Sequence, residues 1–401
     1  MSGEGVLVGN VQRFPPKRRA RLATPYLWRD PASIPPREFI YGRELIRGEV
    51  SGTIAPGAAA KTILSVGRAL SMATGRPLLG KPIWGGPKRV WIWNLEDPKD
   101  ELDRIIQAAC KHWGLTKADV GDRLLVDTAL EGKELKLARS TASGGLTLNR
   151  DTIEALIDEL AEYEIDHLHI DPFVSAHGAD ESDNGEIDTI AKELVKAAVR
   201  GRAAISFAHH TSKSGAGDVT AMSSRGAVAL INACRTVLTI NRMTEEEARR
   251  YGIEDETRRR YFRLYDDKPN RAPPAGAADW FRLISVDLGN STDDRPADSV
   301  GVVVPWSPPD PFEGLSDDHL YQVQLAIAEG SYRADSQADD WAGNIVADIV
   351  GADLSAPADK GRVKSLLKTW VKNGALVESS EKHPGQRREK KFVRVGRWVE
   401  Q

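Results

Sequence analysis

The chain has 401 residues, enough for two or three domains with substantial cores, and its 41% apolar and 28% charged residues are the balance of an ordinary soluble globular protein. A formal net charge of −3 leaves any nucleic-acid contact to local basic patches. Two cysteines, Cys110 and Cys234, argue against a disulfide scaffold or a Cys-rich zinc site and for a reducing cytoplasm; no apolar run approaches the ~18 residues of a membrane span, and the N-terminus lacks the apolar stretch of a secretion signal.

Residues 1–40 carry the basic cluster Lys17, Arg18, Arg19 and Arg21 among scattered prolines. They read as a loosely structured arm that is either solvated or packed on a neighbouring subunit or phosphate. From 41 to 288, strand-like and helix-like patterns alternate, as in an α/β domain with a mostly parallel central sheet. A strand is expected over 51–54. A helix follows over 61–74, with Ile63, Val66, Leu70 and Ala73 on one face and Gly75 as its stop. Further strands are expected over 89–95, 165–171, 203–209 and 236–240, and helices over 152–163 and 187–199. A strand pair, 261–265 and 280–287, closes the sheet. Residues 289–317, rich in proline and acid, read as a linker. The remainder, 318–401, shows three short helical patterns, about 318–329, 338–350 and 359–373, then a basic strand–turn–strand turning at Pro384-Gly385-Gln386.

Between the first strand and the first helix lies Ala55-Pro56-Gly57-Ala58-Ala59-Ala60-Lys61-Thr62, the context that a phosphate-binding P-loop requires. Backbone N–H groups of such a loop converge on phosphate at the positive end of the helix. Lys61 would reach the β/γ-phosphates and the Thr62 hydroxyl would bind Mg²⁺, with ATP as the nucleotide. Alanines stand at 55 and 60 where the usual pattern has glycines; whether Ala60 fits depends on its φ. The strand over 89–95 ends in Glu96-Asp97, where a carboxylate can orient and deprotonate the attacking water, Glu96 ahead of Asp97. The strand 165–171 ends at Asp171, placed to hold Mg²⁺ through water. The strand over 203–209 leads into His209-His210-Thr211, where a polar tip can sense the γ-phosphate. The pairs His167/His169 and His209/His210 lack a third ligand at zinc-like spacing, which argues against a metal site there.

Taken in order, APGAAAKT, WIWNLEDP, HLHIDPFVSAHG, FAHHTSK, SRGAVALINACRTVL and YDDKPNRAPP resemble the RecA/DnaB-type hexameric ATPases, and among them the RepA-like replicative helicases of plasmids and mobile elements. The resemblance spans roughly 40–290 and implies a RecA-like P-loop NTPase core. It implies a catalytic role for Glu96 and a sensor role for His210, or else His209. It also implies loops, 175–186 and 211–224, that face a central channel and hold single-stranded DNA. Both loops have a composition that reads as mobile, and Lys213 in the second is a phosphate contact or a solvated lysine. Such proteins reach a neighbour's γ-phosphate with a basic finger; Lys268 and Arg271 occupy that late position, with Arg225 and Arg235 as helpers. A homo-oligomer, a hexameric ring, is implied with it.

The helix expected over 359–373 sets Val363, Leu366, Leu367, Trp370 and Val371 on its apolar face and lysines on the rest. Residues 360–401 hold 12 Lys/Arg against 4 Glu. That density resembles the recognition helix and wing of a winged helix-turn-helix. Lys360, Arg362, Lys364, Arg387, Arg388, Lys390 and Lys391 would contact duplex DNA, through phosphate more than base edges; the other reading is a wing that packs on protein. The leading function is a DNA-dependent ATPase, a ring-forming RepA-like helicase or translocase that is cytoplasmic, without membrane contact, and acts in replication or recombination of a mobile element. The alternative is an ATP-binding, weakly hydrolysing DNA-binding regulator or recombination accessory factor.

Overall fold

Val50–Ala55 (β1) offers no side chain to water on either face and is buried along its whole length. Such a strand needs helices above and below it, and the chain supplies them by alternation. The computed structural model describes residues 23–57, 60–141, 145–211, 218–221, 228–268, 278–382 and 389–399. They fall into two units, Met1–Arg37 and Glu38–Gln401. In the first, the Asp30 carboxylate accepts from Ala32 N and caps the 3-10 turn Pro31–Ser33.

In the second unit β1 leads to Lys61–Thr74 (α1), Val90–Asn94 (β2), Lys99–Trp113 (α2) and Leu124–Thr128 (β3). Arg150–Glu162 (α3), His167–Asp171 (β4), Asn184–Arg200 (α4), Ala204–His210 (β5), Val228–Ala233 (α5) and Thr236–Arg242 (β6) follow. Glu245–Tyr251 (α6) precedes three antiparallel strands, Tyr261–Asp266 (β7), Asp279–Asp287 (β8) and Ser299–Trp306 (β9). The sheet order is β9-β8-β7-β6-β1-β5-β4-β2-β3. From β6 to β3 every pairing is parallel, and β7, β8 and β9 join antiparallel. The expected α/β class with a mostly parallel sheet is met.

The strand period of two divides the core. Trp91, Leu168, Ile170, Ile205 and Phe207 pack with α3 and α4 on one face, while Val90, Ile92 and Ala204 pack with α1 and α2 on the other. The apolar stripe of α3, Ile153, Leu156, Ile157 and Leu160, is buried throughout, worth roughly 1.5–3 kcal/mol per side chain. Gly52 is needed where β1 lies beside Phe207 of β5, since a Cβ there would stand 2.9 Å from the Phe207 ring.

Three expectations change. Helix α2 and strand β3 were not read from the sequence, although α2 buries Leu102, Ile105 and Ile106. The stretch 289–317, expected as a linker, contains β9. Its valines outweigh the surrounding prolines: Val302, Val303 and Val304 are buried, and the strand pairs with β8 from Asp287↔Ser299 to Trp280↔Trp306. The sheet is therefore closed by three antiparallel strands and not by two.

Beyond β9 come Asp317–Glu329 (α7), Tyr332–Arg333 (β10), Ala342–Val350 (α8), Pro357–Lys372 (α9), Leu376–Lys382 (β11) and Glu389–Val395 (β12). The strands form an antiparallel sheet ordered β10-β12-β11. Val323, Ile327, Trp341, Val346, Val363, Leu366, Trp370 and Leu376 make a core of their own. Gln324, fully buried, ties α7 to the chain end: its amide donates to Ala375 O and Arg397 O, each at 2.9 Å, and its oxygen accepts from Val399 N at 3.0 Å. The Pro384-Gly385-Gln386 turn lies outside the described residues. Among the described residues no helix is long and apolar enough to cross a membrane.

Candidate nucleotide-binding site

Parallel pairing brings strand tips of the same polarity to one edge. Ala55 stands opposite His210, and Asn94 opposite both Asp171 and Thr128. Side chains far apart in sequence therefore meet at the C-terminal edge of the sheet, where ligands of open α/β sheets bind.

The loop leaves β1 through Pro56 and Gly57; Ala58 and Ala59 lie outside the described residues. Ala60 is the N-cap of α1, in the left-handed region at φ 60 and ψ 25, with no side-chain cap. No acidic residue occupies the first turn of α1, so its positive end is left for an external anion. Helix α2 differs, with Asp100 and Glu101 in its first turn.

Lys61, the first residue of α1, is buried; its Nζ donates to Pro56 O at 3.1 Å and lies 3.0 Å from His210 Nδ1. An ammonium only donates, so with Lys61 charged the acceptor is Nδ1 of a neutral His210. Burial lowers the Lys61 pKa, and the carboxylates of Asp171 and Glu96 oppose that shift. Burial and then Lys61 lower His210 in turn, against Glu96 and Asp171. Thr62 donates its hydroxyl to Asp171 Oδ2 at 2.7 Å. A hydroxyl and a carboxylate at one point are hard oxygen donors, a set that fits Mg²⁺.

Glu96 and Asp97 sit in a turn built on Asn94. The Asn94 Oδ1 accepts from Glu96 N at 2.9 Å and Asp97 N at 2.7 Å, and its Nδ2 donates to Asp97 Oδ2 at 3.0 Å. Thr128 Oγ1 donates to Asp97 O at 2.5 Å. Asp97 is thus engaged within the turn, whereas Glu96 is exposed and its charge acts on Lys61 and His210. Sequence reading missed Asn94 and Thr128 as positioning residues. The signal was present, since an Asn that bonds backbone two and three residues on is an Asx turn.

The two histidines of β5 point to opposite faces, as strand geometry demands. His209 is buried, its pKa pushed down to about 4 by burial and then by His210, His177 and Lys61, with Nδ1 3.6 Å from Glu181 Oε1. His210, and not His209, is in contact with Lys61. On β4, the rings of His167 and His169 share one hydroxyl, Ser206 Oγ, at 2.8 and 2.7 Å.

The loop 175–186, whose composition read as mobile, is tied down. His177 bridges Ala138, Asp180 accepts from Ser182 N and Oγ, and Asp183 caps α4 through Gly185 N and Glu186 N. Lys268 lies at the opposite sheet edge, because antiparallel β7 ends at Asp266 facing Leu238, near the start of β6. Its Nζ donates to Ile231 O at 2.8 Å and Asn232 O at 3.4 Å, the carbonyl end of α5. Lys213, Arg225, Arg271, Arg387 and Arg388 lie outside the described residues. In the C-terminal module Lys360 and Lys364 share one stripe of α9 and face α6. Arg362 stands apart, donating to Pro311 O at 2.8 Å and Glu313 O at 2.5 Å. Lys390 is partly buried opposite Glu381, and Lys391 pairs with Glu378 at 3.0 Å.

The family model described as AAA domain matches residues 16–216, half of the chain, a stretch that includes Lys61, Thr62, Glu96, Asp171 and His210. With a helix N-terminus, a lysine, a Thr–Asp pair and a flanking carboxylate gathered at one sheet edge within that match, the chain belongs to the AAA-domain family of P-loop ATPases.

Proposed function

We propose that the protein is a DNA-dependent ATPase, a ring-forming RepA-like helicase or translocase serving replication or recombination of a mobile element. The observation that carries its chemistry is the convergence of Lys61, Thr62–Asp171, Glu96 and His210. The triphosphate lies against the N-terminus of α1. Lys61 leaves Pro56 O and His210 for the β/γ-phosphate oxygens, which replace the two neutral acceptors with charged ones. Thr62 and Asp171 would hold Mg²⁺, which neutralises charge on the β- and γ-phosphates. Glu96 orients water for in-line attack on the γ-phosphorus and takes its proton; the bond to the β–γ bridging oxygen breaks and ADP leaves with that electron pair. His210, one hydrogen bond from Lys61, registers the occupied or emptied phosphate site and, as the last residue of β5, passes it to the loop that follows.

The DNA dependence is supported by the C-terminal module. Three helices beside a three-stranded antiparallel sheet fit a winged helix-turn-helix, and its exposed basic residues fit phosphate contact. ATP turnover should be measurable in the folded protein and should rise with single-stranded DNA. Absence of turnover in both conditions rejects this reading.

One observation favours a second reading, an ATP-binding, weakly hydrolysing regulator or recombination accessory factor. Ala60 holds a left-handed backbone where a glycine would be unstrained, and its methyl stands where the loop must approach phosphate. Brisk turnover by the native protein eliminates it.

A further inference from the structure

Helix α9 packs Val363, Leu366, Leu367 and Trp370 into its own module. Its opposite side lies along α6, a helix between β6 and β7 of the large sheet. The approach is close: a Cβ at Gly361 would stand 2.9 Å from the Arg250 carbonyl oxygen, and one at Gly252 would stand 2.9 Å from Ala358 Cβ. Arg250 Nη2 donates to Ser365 Oγ at 2.9 Å. Along this seam runs a cleft of about 500 Å³ whose walls carry Arg249 and Arg250 from α6 and Lys360, Lys364 and Lys368 from α9. Glu246 is the single carboxylate among its described lining residues. The three lysines recur every fourth residue, one helical stripe with ~6 Å steps, and none forms an ion pair among the described residues. Such a row of like charges repels itself and is relieved by a ligand with regularly spaced negative charge.

The seam decides which ligand. A B-DNA major groove is about 12 Å wide and admits one helix, and a helix with its side chains is itself about 10–12 Å across. With α6 alongside, α9 presents two helices, which a major groove cannot take. The backbone of a single strand can run through the cleft. We propose that the cleft between α6 and α9 grips the phosphate backbone of a single nucleic-acid strand from both sides, Arg249 and Arg250 from α6 and Lys360, Lys364 and Lys368 from the C-terminal module. This rests on the reading of the protein as acting on DNA, and it adds residues outside the module to that contact. Helix α6 follows β6, the parallel neighbour of β1, so one wall of the cleft is joined in sequence to the strand beside the one that opens into the P-loop.

The test uses the full chain and fluorescence anisotropy with labelled oligothymidylate and a labelled hairpin duplex, over a potassium chloride series. Lys364→Ala/Lys368→Ala should weaken oligothymidylate binding roughly tenfold and flatten the slope of log affinity against log salt by about 1.4, two phosphate contacts on a single strand. Arg249→Glu, outside the module, should weaken it to a similar degree. Thermal melting of each variant verifies its fold. If the native chain binds oligothymidylate and both variants bind it equally well, the cleft is not the site. If the native chain prefers duplex and only the lysine variant loses affinity, α9 acts free of α6 and the inference fails while DNA binding stands. If the native chain binds neither probe, the DNA-acting reading fails together with the inference.

Discussion

Ala60 shows how one methyl group can set the energetics of a site. An L-residue in the left-handed region is strained by roughly 1–2 kcal/mol, and position 60 adopts φ 60. Ala60→Gly is therefore expected to raise stability by about 1 kcal/mol, after allowing for the larger unfolded-state entropy of glycine. The readout is a higher urea midpoint at unchanged m-value; a lower midpoint contradicts the left-handed backbone. Glu96 is exposed, and its charge acts on Lys61 and His210. Glu96→Gln keeps the shape and removes the base. It should reduce ATP turnover by about 10²–10⁴-fold with nucleotide binding retained, and turnover within threefold of native would place the base elsewhere. Asp97→Asn probes a different effect. That carboxylate accepts from Asn94 within the turn, so its loss acts through the position of Glu96.

At the scale of elements, β4 and β5 bury imidazoles where most strands bury hydrocarbon. His169 is held at about 4 by burial, with Asp171 opposing and Arg68 reinforcing the shift. His209 is held at about 4 by burial, then by His210, His177 and Lys61. His177, in the loop after β4, is also at about 4, through burial and then Lys136. His167 lies well below its ordinary value through burial, His169 and Arg68. The sign follows from linkage: the folded pKa values lie below the unfolded one of 6.5, so the unfolded chain binds more protons in between. The stabilisation is complete above pH 6.5 and is lost as pH falls toward 4, with a slope of about 1.4 kcal/mol per pH unit for each group. Urea unfolding at stepped pH should give a midpoint that drops between pH 6.5 and 4.5, and a flat profile to pH 5 is incompatible with neutral buried rings. The same two strands carry Asp171 and His210 at their tips, so acid loosens the elements that aim the site.

At the scale of the whole molecule, one chain holds a nucleotide edge at one end of its sheet and Lys268 at the other, donating to the carbonyl end of α5. A role for Lys268 at a γ-phosphate therefore needs a second copy of the chain, with the nucleotide between subunits. A non-hydrolysable ATP analogue is expected to raise the sedimenting mass to a closed multiple of the 43.9 kDa monomer, and single-stranded DNA to favour it further. A monomer under all these conditions removes the ring and leaves the ATPase. The seam between α6 and α9 also acts at this scale, because it links the basic module to the sheet that carries the P-loop.

Much of this protein was legible before its fold. The alternation of apolar runs with helical stripes determined the α/β class, and Lys61, Thr62, Glu96 and Asp171 were identifiable because each ends a strand or opens a helix, a local property of the chain. Helix α2 and strand β3 were legible by the same rules, since Leu102, Ile105, Ile106 and Ala109 recur at helical spacing and Leu124, Leu125 and Val126 are contiguous. Strand β9 escaped because prolines on both sides masked four valines whose partner, β8, had to be in place first. The φ of Ala60, the turn on Asn94, the split between His209 and His210, and the seam at Gly361 depend on which strands and helices become neighbours. Local sequence carries propensity and chemistry, but register and close approach are long-range quantities, and only the packed chain decides them.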